Sequence, residues 1–369
     1  MVITTRAGTP RERIDAIRER IERHGVRTHV VYRDARTVVT CVRDVRDVRD
    51  SEKWTWDPDV ESVTTWSRPY RLASRDSATG DRTTAVRIGS APDAVVGGPA
   101  LVVIAGPCSV ERLDLLRDAA AGVARSGATA LRGGAFKPRT SPYAFQGLGV
   151  HGLELLAQVR RESGLPVVTE VMDTRHVDLV AEYADVLQVG ARNMQNYALL
   201  AELGRIGRPV LLKRGFAAPI GEFLLAAEHV MARGNSDVIL CERGMRTFET
   251  STRFTLDIAA IPVLRRETHL PVIVDPSHAA GDAALVPALA LAAVAAGADG
   301  LMIEVHAQPD LSRSDREQAL TLPAFHEMMR AMAPVASAVG RRMPAARTLP
   351  AVPASAGAGI PTLPESRRD

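Results

Sequence analysis

The chain has 369 residues, 46% of them apolar, enough for one large domain with a sizeable core and a small companion. A formal net charge of only +3 gives no reason to expect a nucleic-acid partner. Cys41, Cys108 and Cys241 are a sparse, odd set that makes no disulfide framework, and they point to a reducing cytoplasm.

Residues 1–70 read as a small unit of their own. The opening MVITTRAGTPRERI has no apolar signal core and begins with a short β-like stretch, Val2 to Thr5. Pro10 to His24 is a charged helix that keeps Ile14, Ile17 and Ile21 on one face. Thr28 to Tyr32 and Thr37 to Val42 are two strands around the turn Asp34-Ala35-Arg36, and Val60 to Thr65 supplies a fourth. The order approximates a ferredoxin-like βαββαβ module. Its second helix is the weak part: Val42 to Asp50 reads VRDVRDVRD, a charge run that suits a solvated face or loop, and Trp54 and Trp56 follow it. Residues 71–99 are polar and contain glycine, with one β-like stretch, Thr83 to Ile88. They read as a connector, or a hairpin closing one end of the next domain.

From residue 100 the pattern becomes short apolar strands alternating with helix-length segments. The strands are LVVIAG (101–106), ALRGG (130–134), PVVTEV (166–171), DVLQVG (185–190), PVLLKR (209–214), DVILCER (237–243), PVIVDPS (271–277) and GLMIEVH (300–306). Continuously apolar strands covered by helices mean a parallel sheet buried on both faces. Eight such units over residues 100–342 predict a closed (β/α)8 TIM barrel, with a doubly wound sheet as the alternative. Ala283 to Ala298 is the most apolar run, but it contains Pro287 and is shorter than the roughly 20 residues of a membrane span. It is expected as a buried helix. Residues 343–369 are rich in Pro, Ala, Gly and Ser without periodicity and are expected to be disordered.

A TIM barrel carries its chemistry at the C-terminal ends of its strands. Those ends hold two groups. The first is cationic: Arg132, Lys137, Arg139, Arg192, Lys213, Arg214 and Arg243. So many cations at one mouth predict anionic ligands with more than one phosphate, because arginine forks match phosphate and carboxylate in two-point contacts. Some would pair with local carboxylates instead, Arg214 first among them. The second group is Cys108, His278, Glu304 and Asp315: a thiolate, an imidazole and two carboxylates, a mixed set that suits a divalent transition ion. Taken singly these residues say little. A lone buried cysteine is usually inert, and Cys241, in mid-strand, is read that way.

The stretches AGPCSVE (105–111), LRGGAFKPRTSPYAFQGLG (131–149), QVGARNMQN (188–196), PVLLKRGF (209–216), ILCERGMRTFE (239–249), LPVIVDPSHAAG (270–281) and MIEVH (302–306) resemble the type I DAHP synthases, the 3-deoxy-7-phosphoheptulonate synthases. The match is to the subgroup with an N-terminal ferredoxin-like regulatory domain and runs to about residue 340. KPRTS is specific: the sister synthases of 3-deoxy-octulosonate 8-phosphate carry an Asn-containing motif where Pro138-Arg139-Thr140 stands here. The resemblance implies a metal-dependent condensation of phosphoenolpyruvate with erythrose 4-phosphate, the first step of the shikimate pathway to aromatic amino acids. It implies one divalent ion per subunit (Mn, Co, Fe or Zn) held by Cys108, His278, Glu304 and Asp315. Arg132, Lys137, Arg192, Lys213 and Arg243 would bind phosphoenolpyruvate, and Arg139 and Thr140 the phosphate of erythrose 4-phosphate. Lys137, Cys108 and His278 would stand at the reacting atoms, with Lys137, Glu170 and metal-bound water the candidates for proton transfer. An aromatic amino acid as effector of residues 1–70 and a homotetramer follow from the same resemblance. Two departures stand out: Arg316 follows Asp315 where the family usually has Gly, and Ala307 follows His306 where Pro is common. The rival activities are a synthase using another aldose phosphate, such as arabinose 5-phosphate, and a Schiff-base aldolase with Lys213 as nucleophile.

Overall fold

The computed structural model describes residues 2–23, 25–33, 36–41, 57–64, 68–75, 83–90 and 94–347. Strands β1 (Val2–Thr5), β2 (Thr28–Arg33), β3 (Arg36–Cys41) and β4 (Val60–Thr64) form an antiparallel sheet in the order β2-β3-β1-β4, and α1 (Arg11–Glu22) lies between β1 and β2 in the chain. The three- and four-residue spacing of Ile14, Ile17 and Ile21 puts them on one stripe of α1. That stripe is buried with Ile3, Val39, Cys41 and Val60 of the sheet. The strand order is that of the expected ferredoxin-like unit. The VRDVRDVRD run, Trp54 and Trp56, and with them the expected second helix, lie outside the described residues.

Residues 68–75 strap this unit to the larger one. Tyr70 donates to Glu267 Oε2 at 2.7 Å, and the backbone N–H groups of Leu72 and Ala73 donate to the two oxygens of Glu228 at 2.8 and 2.9 Å. Next comes a hairpin of β5 (Val86–Arg87) and β6 (Val95–Val96).

All eight strands expected in the larger unit are present: β7 (Val102–Gly106), β8 (Ala130–Arg132), β9 (Val167–Glu170), β10 (Val186–Val189), β11 (Val210–Lys213), β12 (Val238–Glu242), β13 (Val272–Val274) and β14 (Gly300–Glu304). They close as a barrel in chain order, with β14 pairing in parallel to β7. Helices α2 (Leu113–Arg125), α3 (Val150–Ser163), α4 (Val177–Tyr183), α5 (Tyr197–Leu203), α6 (Ile220–Met231), α7 (Ala260–Glu267), α8 (Pro276–Ala280), α9 (Val286–Ala295) and α10 (Leu322–Ala338) intervene or follow. Both faces of each strand are buried, which is why the strands read as unbroken apolar runs. Val103 and Ala105 point outward into the core shared with the helices, while Val102 and Ile104 point inward. Val86, Ile88, Ala94 and Val96 of the hairpin pack with those inward side chains, so the hairpin plugs the end where the strands begin. The other end is left for chemistry.

The Ala283–Ala298 run is helix α9 with its preceding 3-10 turn, but it is not the fully buried helix expected: Val286, Ala290, Ala293 and Val294 face the core, while Ala288 and Ala295 are exposed on the other side. Pro287 is tolerated at its first turn, where the missing N–H has no intrahelical partner to lose. No helix among the described residues is long and apolar enough to cross a membrane. The expected disordered tail requires a correction at its start. Met343 packs against the outer core, and the Arg347 N–H donates to the Ala124 carbonyl at 2.9 Å, so residues 343–347 lie along the barrel. Residues 348–369 lie outside the described residues.

Candidate active site

At the end of β7, Gly106 adopts a φ of +150°, and a Cβ there would stand 2.3 Å from the Arg132 carbonyl oxygen. Only glycine lets β7 and β8 run this close while the chain turns to Cys108. The Cys108 thiol is 2% exposed, donates to Asp315 Oδ2 at 3.0 Å and accepts from Lys137 Nζ at 2.9 Å. His278 comes from α8, which Asp275 caps by accepting from the His278 backbone N–H at 3.0 Å. Asp275 Oδ2 also takes the ring Nδ1 at 2.7 Å and Lys213 Nζ at 2.5 Å. The opposite ring nitrogen, Nε2, then faces Glu304 Oε1 at 3.2 Å. Arg132 Nη1 reaches the same Glu304 oxygen at 2.5 Å. One ligand atom from each of Cys108, His278, Glu304 and Asp315 lies within 4.8 Å of the others.

The chemistry of this cluster fits a divalent transition ion. Burial lowers the His278 pKa against the opposing pull of Asp275 and Glu304. In the neutral form that ligates a metal, the ring gives its one N–H to Asp275, an obligate acceptor, and turns its Nε2 lone pair on a carboxylate lone pair of Glu304. Two buried acceptors turned on each other call for a cation between them. Burial, then Glu304, push the Cys108 thiol up to about 12. A coordinated divalent ion reverses that, because a coordinating thiol gives up its proton. Burial acts to raise the Asp315 carboxyl, but the Cys108 thiol and the Arg253 guanidinium outweigh it and hold Asp315 well below the usual carboxylate range. Arg316 opens a 3-10 turn, Arg316–Gln318. The left-handed residue is Asp315 itself, at φ 50°, the only positive-φ residue other than glycine among the described residues. Aspartate is one of the few side chains that visit that region.

Beside the cluster opens a cavity of ≈ 460 Å³. Arg132, Lys137, Arg139, Thr140, Arg192, Lys213, Arg243, His278 and Asp315 all line it. Among the described residues no carboxylate pairs with Arg139, Arg192 or Arg243. The Arg243 guanidinium lies 4.1 Å from the Phe254 ring centroid and 5.2 Å from that of Phe216, and its Nη1 is buried without a hydrogen-bond partner. Burial lowers its pKa, the mark of a cation held dry for want of an anion. Glu170 faces the cavity because residue 190 is glycine: a Cβ there would stand 2.1 Å from Glu170 Oε1.

Arg214 does not belong to this wall. It is 3% exposed and pairs with Glu242 at 2.8 Å and Asp257 at 3.0 Å. Cys241 points into the apolar barrel interior, and burial pushes its thiol up. Arg246, Arg253, Phe216 and Phe254 line the cavity without having been singled out in the sequence. They sit beyond the strand ends, in loops. The signal that could have found them is the spacing of Arg243, Arg246 and Arg253 within one strand-end segment.

A family model described as the DAHP synthetase I family matches residues 84–339. The phospho-2-dehydro-3-deoxyheptonate aldolase of Thermotoga maritima is 44% identical over 340 residues, covering 92% of this chain and 99% of that protein. A 2-dehydro-3-deoxyphosphooctonate aldolase of Koribacter versatilis is 33% identical over 272 residues, covering 67% of this chain and 95% of that protein. A crystal structure of the Thermotoga maritima enzyme, described as a DAHP synthase, matches with a TM-score of 0.72 at 43% identity over 92% of this chain and 98% of that one.

Proposed function

The chain belongs to the DAHP synthetase I family, and from that premise we propose that it condenses phosphoenolpyruvate with erythrose 4-phosphate to give 3-deoxy-7-phosphoheptulonate and phosphate. The observation that carries this reading is one cavity in which unpaired arginines face a thiol, imidazole and carboxylate cluster. Cys108, His278, Glu304 and Asp315 would hold one divalent ion, Mn, Co, Fe or Zn. When bound, such an ion supplies Lewis-acid polarisation of an aldehyde oxygen.

The chain's own residues do the rest. Two polyanions must lie side by side, and their mutual repulsion is offset by fixed cations. Arg132, Lys137, Arg192, Lys213 and Arg243 would take the phosphate and carboxylate of phosphoenolpyruvate. Arg139 and Thr140, on the outer wall, would take the phosphate of erythrose 4-phosphate. C3 of phosphoenolpyruvate then attacks the aldehyde carbon, a water oxygen adds at C2, and the C2–O bond to phosphate breaks. Lys137, with Nζ 2.9 Å from Cys108 Sγ, would give a proton to the forming hydroxyl. Glu170, 8% exposed and facing the cavity, would take one from the water. On the same reading, residues 1–70 serve as a module for an aromatic amino acid effector in a cytoplasmic homotetramer.

The test is phosphate release from phosphoenolpyruvate by metal-stripped and metal-restored protein, with erythrose 4-phosphate or arabinose 5-phosphate as acceptor. Release only with metal and faster with erythrose 4-phosphate is expected. Release without metal, or a preference for the five-carbon sugar, refutes the proposal.

A further inference from the structure

Glu304 ends β14 fully buried, and both of its oxygens are engaged. Oε1 takes Arg132 and faces His278, while Oε2 accepts from Gln318 Nε2 at 2.6 Å. Gln318 is 2% exposed, and its Oε1 accepts from Arg253 Nη1 at 2.8 Å. The same Nη1 donates to Asp315 Oδ1 at 3.1 Å, which leaves Asp315 Oδ2 for the Cys108 thiol. One guanidinium nitrogen therefore touches one candidate ligand directly and a second through a single amide.

The bridge has a chemical requirement. Arginine only donates and a carboxylate only accepts, so the group between them must accept on one side and donate on the other. A carboxamide does this; a carboxylate or a thioether does not. The same logic assigns the amide orientation, with oxygen toward Arg253 and nitrogen toward Glu304. Arg253 is itself held by α8, the helix that bears His278: its backbone N–H donates to the Ala280 carbonyl at 3.0 Å. A Cβ on Gly281, which ends α8, would stand 2.6 Å from Arg253 Cβ, so the segments meet backbone to side chain. The 3-10 turn after Asp315 brings Gln318 back beside it, and the left-handed Asp315 is the kind of conformation that persists only where its surroundings hold it.

We propose that Gln318 and Arg253 are positioning residues that act as one relay, turning Glu304 and Asp315 toward the ion. The proposal rests on the metal-dependent reading above. Groups in this position set ligand orientation and basicity, and their loss weakens binding about ten- to a hundredfold.

The test is Co2+ titration of the metal-stripped full-length protein without substrate, read by the thiolate-to-cobalt absorption band and by competition with a chelating indicator. Gln318→Met, Arg253→Met and the double variant are compared, with melting of each metal-free protein as the control for folding. Each single variant is expected to bind Co2+ about ten- to a hundredfold more weakly when titrated well below its own metal-free melting temperature. The double variant is expected to lose little beyond the worse single one, because the relay is already broken. Binding within twofold of wild type in either single variant overturns the proposal, as do losses that multiply in the double. Arg253 is partly exposed, so its replacement decides the matter even where Gln318→Met does not fold. A wild-type protein whose cobalt band is absent, or survives Cys108→Ser, overturns the metal reading and this proposal with it. A wild-type band with unaffected variants overturns this proposal alone.

Discussion

Arg214 and Arg243 follow adjacent barrel strands, are each 3% exposed, and should behave in opposite ways when replaced by methionine. Arg214 neutralises Glu242, whose side chain is fully buried and whose other oxygen accepts the Gly244 N–H at 2.7 Å. Arg214→Met leaves that carboxylate without its counter-charge, and breaking a buried pair from one side costs about 3–5 kcal/mol. Among the described residues Arg243 has no carboxylate partner, and one of its own nitrogens is unsatisfied. Arg243→Met removes a buried cation and keeps an apolar side chain against Phe254, so its stability should stay within about 1 kcal/mol of wild type or rise. The ligand side inverts. Arg243→Met deprives phosphoenolpyruvate of a charge-assisted contact worth about 2–4 kcal/mol, roughly thirty- to nearly a thousandfold in affinity. Arg214→Met leaves the cavity wall intact and should bind within a few-fold of wild type below its melting range. Urea unfolding and calorimetric titration with phosphoenolpyruvate measure both quantities on both variants. Equal destabilisation by the two substitutions, or unchanged phosphoenolpyruvate affinity in Arg243→Met, would refute the division between a structural and a ligand-facing arginine.

Arg139→Ala should raise KM for erythrose 4-phosphate by more than that for phosphoenolpyruvate, because Arg139 lines the cavity with no carboxylate partner among the described residues. Steady-state kinetics with each substrate varied checks this, and equal effects on both would mean there is no separate sugar-phosphate site. Deleting residues 1–66 keeps the Arg68–Glu267 ion pair and the Tyr70 and Glu228 bonds that fasten the strap. Inhibition of the full-length protein by tyrosine, phenylalanine or tryptophan should vanish in the truncated form; if none of the three affects the full-length protein, a regulatory role for this module toward them is wrong.

Much of the architecture was legible from short-range pattern. The eight strands appear where apolar runs alternate with helix-length segments, and α1 carries its isoleucines on the stripe that their spacing requires. Periodicity is a local property, set within a turn of helix or two residues of strand, so a sequence states it directly. The strand-end rule also sufficed to gather Cys108, His278, Glu304 and Asp315, since barrel closure sends every strand end to one mouth. Closure itself decided the rest. Whether an arginine serves the fold or a ligand depends on which carboxylate the neighbouring strand presents, and among the described residues Arg214 has Glu242 while Arg243 has none. Arg132 finds Glu304 across 172 residues of chain, and Gln318 links it to Arg253 from a loop with no apolar rhythm to announce it. Residues 343–347 have the composition of a free tail, yet the α2 carbonyl of Ala124 and the outer core give them partners. Charges and hydrogen bonds act between atoms a few ångströms apart in space, and only the folded chain determines which atoms those are.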